Sequence, residues 1–238
     1  MDIEILTIFP AYFDSPLRES LLGKAIAAGL VNVTVTDLRA YAQDKHRKTD
    51  DEPYGGGAGM VMMAPVVAAA IEARREVAGL PRAWTILMAP EGARLDQARS
   101  GALAARQRLL IVCGRYEGID ERVRQLGLYD EEISLGDFVL PGGESAALAL
   151  TEAVSRLIPG VVGAAESLVN ESFLGERLDY PHYTRPREFR GLSVPDVLIS
   201  GDHRRIQNWR RARALERTRE RRPDLVQMRP PEPGESEE

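Results

Sequence analysis

The chain has 238 residues, 44% hydrophobic and 28% charged, with a mean hydropathy of −0.25; this suits a globular protein with a sizeable core and excludes collagen-like, disulfide-scaffold and wholly disordered classes. Glycine aside, the longest apolar run is Met60 to Ile71, broken by Pro65 and far short of the roughly 20 residues that cross a bilayer, and Asp2 and Glu4 interrupt what an export signal would need. No membrane contact and no secretion are expected, and Cys113, the single cysteine, allows neither an intrachain disulfide nor a cysteine-built zinc site, which points to a reducing cytoplasm.

The first 160 residues alternate strand-like and helix-like segments, the pattern of an α/β layer with a mainly parallel sheet. Strands are expected at Ile3–Phe9 and Val31–Asp37, with a helix between them at Ser15–Ala28 that closes at Gly29. Pro65 opens a helix over Val66–Ala78 that stops at Gly79. A strand at Ala83–Ala89, a helix at Asp96–Arg106, a strand at Leu109–Cys113, a helix around Ile119–Leu126 and a short strand near Glu132–Leu135 follow. A helix at Ala146–Leu157 ends before Pro159-Gly160. The aperiodic stretch 161–172 reads as a linker, 173–229 as a small, mainly helical second domain, and 230–238 as a disordered acidic tail. In that second domain Asp202 is a good N-cap for a helix through Trp209 to about Arg221, before Pro223.

The net charge of −5 hides an asymmetry, because Arg185 to Arg222 holds 12 arginines against 5 acids. Such a segment either meets phosphates, which guanidinium forks match, or is a solvated helix with internal pairs such as Glu216 with Arg213 and Arg219.

Three glycine-rich strings flank element ends, where a bare backbone can approach a ligand. They are Pro53-Tyr54-Gly55-Gly56-Gly57-Ala58-Gly59-Met60, Cys113-Gly114-Arg115-Tyr116-Glu117-Gly118, and Leu135-Gly136-Asp137-Phe138-Val139-Leu140-Pro141-Gly142-Gly143-Glu144. None is a P-loop, since no Gly-Lys-Ser/Thr follows, and none is a dinucleotide fingerprint. The later two sit beside strand and helix ends, where open α/β sheets bind ligands. Together with Ile8-Phe9-Pro10, His46-Arg47, Asp50-Asp51-Glu52, Val154 to Val161, Pro181-His182-Tyr183-Thr184-Arg185-Pro186 and Leu198 to His203, these strings resemble the bacterial tRNA (guanine-N1)-methyltransferase family, TrmD, in residues and in order over nearly the whole chain.

The resemblance implies a SPOUT-type fold, with a deep trefoil knot in the 1–160 domain that binds S-adenosylmethionine. It implies donor contacts from Leu87, Met88, Ala89 and Pro90, from Gly114, Tyr116 and Glu117, and from Leu135, Gly136, Phe138, Leu140, Gly142 and Gly143. Pro141 stands where a small polar residue is expected. The implied reaction methylates N1 of the guanosine immediately 3′ of the anticodon, position 37 of tRNA. That nitrogen carries a proton in neutral guanine, so a base is needed. The family places an Asp in an acid-Asp-Ser-Phe string; this chain has Asn170-Glu171-Ser172-Phe173, so Glu171 becomes the expected base, one methylene longer, with Asp179 as a substitute. Arg156 is the expected partner of the charge that gathers on guanine O6. His46, Arg47, Lys48, Gly57, Gly59, Arg115, His182, Arg185, Arg210 and the rest of the Arg204–Arg211 face are expected to meet the anticodon stem-loop. A homodimer that shares each active site between subunits is also implied, as is a use of Mg²⁺ with no ligand set named. An RNA-binding protein that kept the fold without turnover is the alternative that a Glu at the base position leaves open.

Overall fold

The computed structural model describes residues 1–163, 171–173 and 177–227. The chain divides into two compact units, Met1–Gly163 and Ala164–Glu238. Most of the expected linker and the whole expected tail 230–238 lie outside the described residues. The linker was expected to start at residue 161, but Val161 is 6% exposed and packs in the core of the first unit, so the division falls after Gly163.

The first unit is built on five parallel strands: β1 (Asp2–Thr7), β2 (Asn32–Asp37), β5 (Trp84–Arg94), β6 (Arg108–Cys113) and β7 (Glu131–Ser134), in the spatial order β2-β1-β6-β5-β7. A two-residue ribbon, β3 (Asp50–Asp51) against β4 (Val61–Met62), stands apart from it. Every residue of β6 is buried, as a central strand covered on both faces requires, and this is why Leu109 to Cys113 is an unbroken apolar run. Its side chains alternate between two cores. Leu109, Ile111 and Cys113 pack with Ile3, Ile5, Ile86 and Met88 beneath α1 (Ser20–Ala27), α3 (Gln97–Ala104) and α5 (Glu144–Ser155). Leu110 and Val112 pack with Leu6, Ile8 and Leu87 beneath α2 (Ala64–Arg75) and α4 (Arg122–Gln125).

Four elements depart from the periodicity, the first being the helix expected over Ser15–Ala28, which breaks at the extended Glu19 into a 3-10 turn at Pro16–Arg18 and α1. The helix expected over Ile119–Leu126 shrinks to α4, because Ile119 bridges Met62 and Asp120 accepts the Arg122 amide at 2.9 Å, which starts the helix late. Helix α5 starts early, at Glu144, whose buried carboxylate has partners from distant segments. Strand β5 runs past Pro90 because it pairs twice with the same residue: Met88 and Ala93 both face Ile133, and Ala89–Gly92 loops out between them.

At the amino ends of the strands the sheet is closed by buried charge. Glu4 accepts from Thr36 Oγ1 at 2.8 Å, Arg74 Nε at 2.5 Å and Arg108 at 3.3 Å, and Arg108 also donates to the Arg74 carbonyl at 2.7 Å. Asp130 pairs with Arg75 at 3.1 Å and Arg82 at 2.7 Å.

In the second unit the described elements are a hairpin, β8 (Glu188–Phe189) with β9 (Leu192–Ser193), and two helices, α6 (His203–Arg221) and α7 (Pro223–Gln227). Asp202 caps α6 by accepting the Arg205 amide at 3.0 Å. Ala214 and Thr218 are the buried residues of α6, and the Thr218 hydroxyl accepts the Leu178 amide at 2.9 Å, which fixes the entering strand of chain on the helix.

Candidate functional site

A cleft of about 260 Å³ opens at the carboxyl ends of β5, β6 and β7. Three segments wall it: the Ala89–Gly92 excursion of β5, the Gly114–Gly118 loop after β6, and the loop from Leu135 to Gly143 that leads into α5. Every residue expected to meet the methyl donor lines this cleft except Gly136. Gly136 is turned away by its own loop: its amide and carbonyl both bond the Ser134 hydroxyl, at 3.2 and 3.0 Å, and the Phe138 ring lies across it. Phe138 and Val139 are 55% and 82% exposed at the rim.

The two glycine loops touch through backbone. The Gly143 amide donates to the Gly114 carbonyl at 2.8 Å, and a Cβ on Gly143 would stand 2.9 Å from Cys113 Cα and 3.1 Å from the Gly114 nitrogen, so only glycine allows this approach. The first glycine string is clipped to the same place. Met62 N donates to Gly118 O at 2.9 Å and Glu117 N to Met60 O at 3.0 Å, while Gly59 packs directly beneath the Glu117 carboxylate. Gly57 faces open space. Burial pushes the Tyr116 phenol above its ordinary value, and the Asp50 carboxylate adds to this. Burial also pushes the Cys113 thiol well up, next to Glu144.

The sequence reading missed two sets of residues here. Arg124 on α4 lines the cleft and pairs with Glu91 of the excursion, with Glu132 at 2.7 Å and with Glu121 at 3.3 Å, tying the cleft wall to the sheet edge. Glu144 lies behind the wall, 1% exposed, bonded to Thr7 and Arg115. Arg115, expected to meet tRNA, lines the cleft; its Nε is held by Glu144 at 2.8 Å and its guanidinium covers the Phe9 ring at 4.5 Å. These pairings join residues 29 to 137 positions apart, and no local spacing announces them.

The basic turn at His46-Arg47-Lys48 is shaped by Asp44. Its carboxylate accepts the amides of Lys48 at 2.9 Å and His46 at 2.8 Å, which holds Asp44 below the usual carboxylate range and leaves His46 and Arg47 exposed. Lys48 is engaged by Asp51 at 2.8 Å. Arg156 caps the carboxyl end of α5, its amide donating to Glu152 O at 3.1 Å.

In the second unit Glu171 is half-buried. Beside it in sequence, the Ser172 hydroxyl accepts the Asp179 amide at 3.0 Å, and the Asp179 carboxylate meets His182 Nε2 at 2.8 Å. The Tyr180 ring packs on His182 in a tilted contact at 4.6 Å and is covered by the Arg210 guanidinium at 4.8 Å, while Tyr183 lies against Trp209 at 6.3 Å. Arg210 and His182 therefore share one cluster, and Arg185 is exposed nearby in sequence. Among the described residues no group of three His, Cys, Asp or Glu side chains could hold a metal ion, and no helix is long and apolar enough to cross a membrane.

An open parallel sheet with a glycine-walled cleft across its strand ends is the α/β arrangement in which small ligands are commonly bound. The family model described as tRNA (Guanine-1)-methyltransferase TrmD matches residues 1–228. A protein named tRNA (guanine-N(1)-)-methyltransferase from Anaeromyxobacter sp. (strain Fw109-5) is 57% identical over 229 residues, covering 95% of this chain and 91% of that one. Proteins of the same name from Geotalea uraniireducens (strain Rf4) and Carboxydothermus hydrogenoformans (strain ATCC BAA-161 / DSM 6008 / Z-2901) are 54% and 47% identical, covering 95% and 96% of this chain and 90% and 88% of theirs. The chain belongs to the TrmD family of tRNA (guanine-1)-methyltransferases.

Proposed function

We propose that this enzyme transfers the methyl group of S-adenosylmethionine to N1 of the guanosine immediately 3′ of the anticodon, position 37 of tRNA, giving 1-methylguanosine. The observation that carries the reading is the cleft itself, built from the family's glycine strings in a chain that matches the family model over residues 1–228.

The residues present suit the donor. Leu87, Ile133, Leu135 and Leu140 offer an apolar slot for a base, and the backbone at Gly114, Gly142 and Gly143 comes close enough to read its edge. The carboxylate of Glu117 at the same cleft suits the cationic amino acid end. The donor supplies a methyl group on positively charged sulfur. The Glu171 carboxylate receives the proton from guanine N1, and the Arg156 guanidinium sets positive charge against O6 as electrons gather there. Asp179, already bonded to His182, is the substitute base. A use of Mg²⁺ also belongs to this reading, with no ligand set named.

The further family features belong to this reading: a trefoil knot in the first unit, a second unit that grips the anticodon stem-loop, and a homodimer in which the cleft of one copy works with the second unit of the other. His46, Arg47, Gly57, Gly59, His182, Arg185 and Arg210 contact the RNA, and Arg210 brings a guanidinium from the segment of 12 arginines. The setting is the cytoplasm, where tRNA is found.

Labelled S-adenosylmethionine with tRNA transcripts carrying guanosine or adenosine at position 37 tests this. Label entering only the guanosine transcript and recovered as 1-methylguanosine is the expected result; donor binding without label transfer overturns it. Glu171→Gln lowers turnover by at least about 100-fold with donor affinity unchanged, and surviving activity moves the base role to Asp179.

A further inference from the structure

Glu144 opens α5 with a carboxylate that is 1% exposed, and none of the cleft lining includes it. A buried carboxylate must be paired, and a buried ion pair gains little stability over an apolar replacement of the same volume, so its return is geometric. The pairing here spans three segments. Oε1 accepts from Thr7 Oγ1 at 2.7 Å, and that hydroxyl oxygen accepts the Phe9 amide at 2.9 Å, which ties in the end of β1. Oε2 accepts from Arg115 Nε at 2.8 Å. Arg115 reaches on to the Pro141 carbonyl at 3.4 Å, and its stem fills the space a side chain at residue 142 would need. Its own amide is anchored on Met62 Sδ at 3.2 Å. The arginine is thus wedged between the Gly114–Gly118 loop and the Pro141–Gly143 turn, the two walls between which the cleft opens, and Glu144 holds it there.

We propose that Glu144 is a positioning residue for methyl-donor binding: acting through Arg115 and Thr7, it sets the spacing of the two glycine loops and so the donor's affinity, while touching neither donor nor RNA. The inference rests on the reading of the cleft as the S-adenosylmethionine site.

Glu144→Gln keeps the shape but removes the negative charge that holds the guanidinium and leaves one acceptor oxygen for the two donors, Thr7 Oγ1 and Arg115 Nε. Calorimetric titration with S-adenosylmethionine and with S-adenosylhomocysteine should show Kd raised about tenfold for both, with the KM for the donor rising in step. The KM for tRNA stays within about twofold and kcat within about threefold, since neither the RNA face nor the base is disturbed. Glu144→Asp, which retains the charge, recovers part of the affinity. Thr7→Val removes one limb alone and raises Kd by about threefold, and it carries the test if Glu144→Gln fails to fold. A folded Glu144→Gln, or Thr7→Val in its place, with wild-type donor affinity overturns the inference alone. Equal losses in donor and tRNA KM also overturn it, as a general structural defect. Wild-type protein that binds no donor overturns the reading of the cleft and this inference together.

Discussion

The two ends of one parallel sheet are finished in opposite ways. At the amino ends of its strands, Glu4, Arg74 and Arg108 on one side and Asp130, Arg75 and Arg82 on the other fill the space with long paired side chains. At the carboxyl ends, Gly114 and Gly143 bring backbone against backbone, Gly142 leaves its space to the Arg115 stem, and a cleft is left. Charge closes the first end and its partners are wholly internal; bare backbone keeps the second open for a ligand. The difference teaches that stability and binding can be assigned to separate ends of one scaffold, and variants at each end should fail differently.

The largest effect is expected from Gly143→Ala. Its methyl group would stand 2.9 Å from Cys113 Cα and 3.1 Å from the Gly114 nitrogen, so the two loops must part. Donor affinity should fall by about 100-fold or more, with about 1–3 kcal/mol of stability lost, read by calorimetry and by denaturant unfolding. Glu4→Gln should reverse the proportions: about 3 kcal/mol of stability is lost because Arg108 keeps a buried charge without its carboxylate, yet donor Kd stays within about twofold. If Glu4→Gln weakened the donor more than the protein, the division between the two ends would be wrong. The smallest effect sharpens the comparison where the cleft meets the core. Burial raises the folded-state value of the Cys113 thiol well above 9.0, so the thiol's contribution is complete below that pH and is lost as pH rises above it, when the unfolded chain ionises and the folded one does not. Cys113→Ala should flatten the alkaline arm of the stability profile above about pH 9, on top of a pH-independent loss of about 1 kcal/mol from removing a buried sulfur.

Much of this was readable from local signals. Asp202 caps α6 where its side chain and position required, and the unbroken run Leu109 to Cys113 became the central strand. The glycine strings marked places where backbone could approach a ligand, but each alone could equally be turn chemistry, and only the fold shows that two of them wall one cleft. What escaped was settled by partners far along the chain. Helix α4 is short because Ile119 pairs with Met62, and α5 starts early, at Glu144, whose carboxylate is held by Thr7 and Arg115. The pairing of Arg115 with Glu144 escaped too, because an arginine beside a glycine loop carries no mark of which way it turns. Gly136 looked like its neighbours, and only the Ser134 hydroxyl, which folds the turn back on itself, separates it from them.

The detour in β5 has a consequence for how such a cleft can change. Met88 and Ala93 face the same residue, Ile133, and Gly92 returns so closely that a methyl group there would stand 2.5 Å from the Ile133 nitrogen. Residues 89 to 91, closed by a glycine that must stay at 92, are therefore a parenthesis in the strand: whatever is written inside it, the ladder resumes on the same rung. The wall of the cleft can gain, lose or exchange residues without shifting a single side chain to the opposite face of the sheet, which leaves ligand preference free to drift over a core that stays in register.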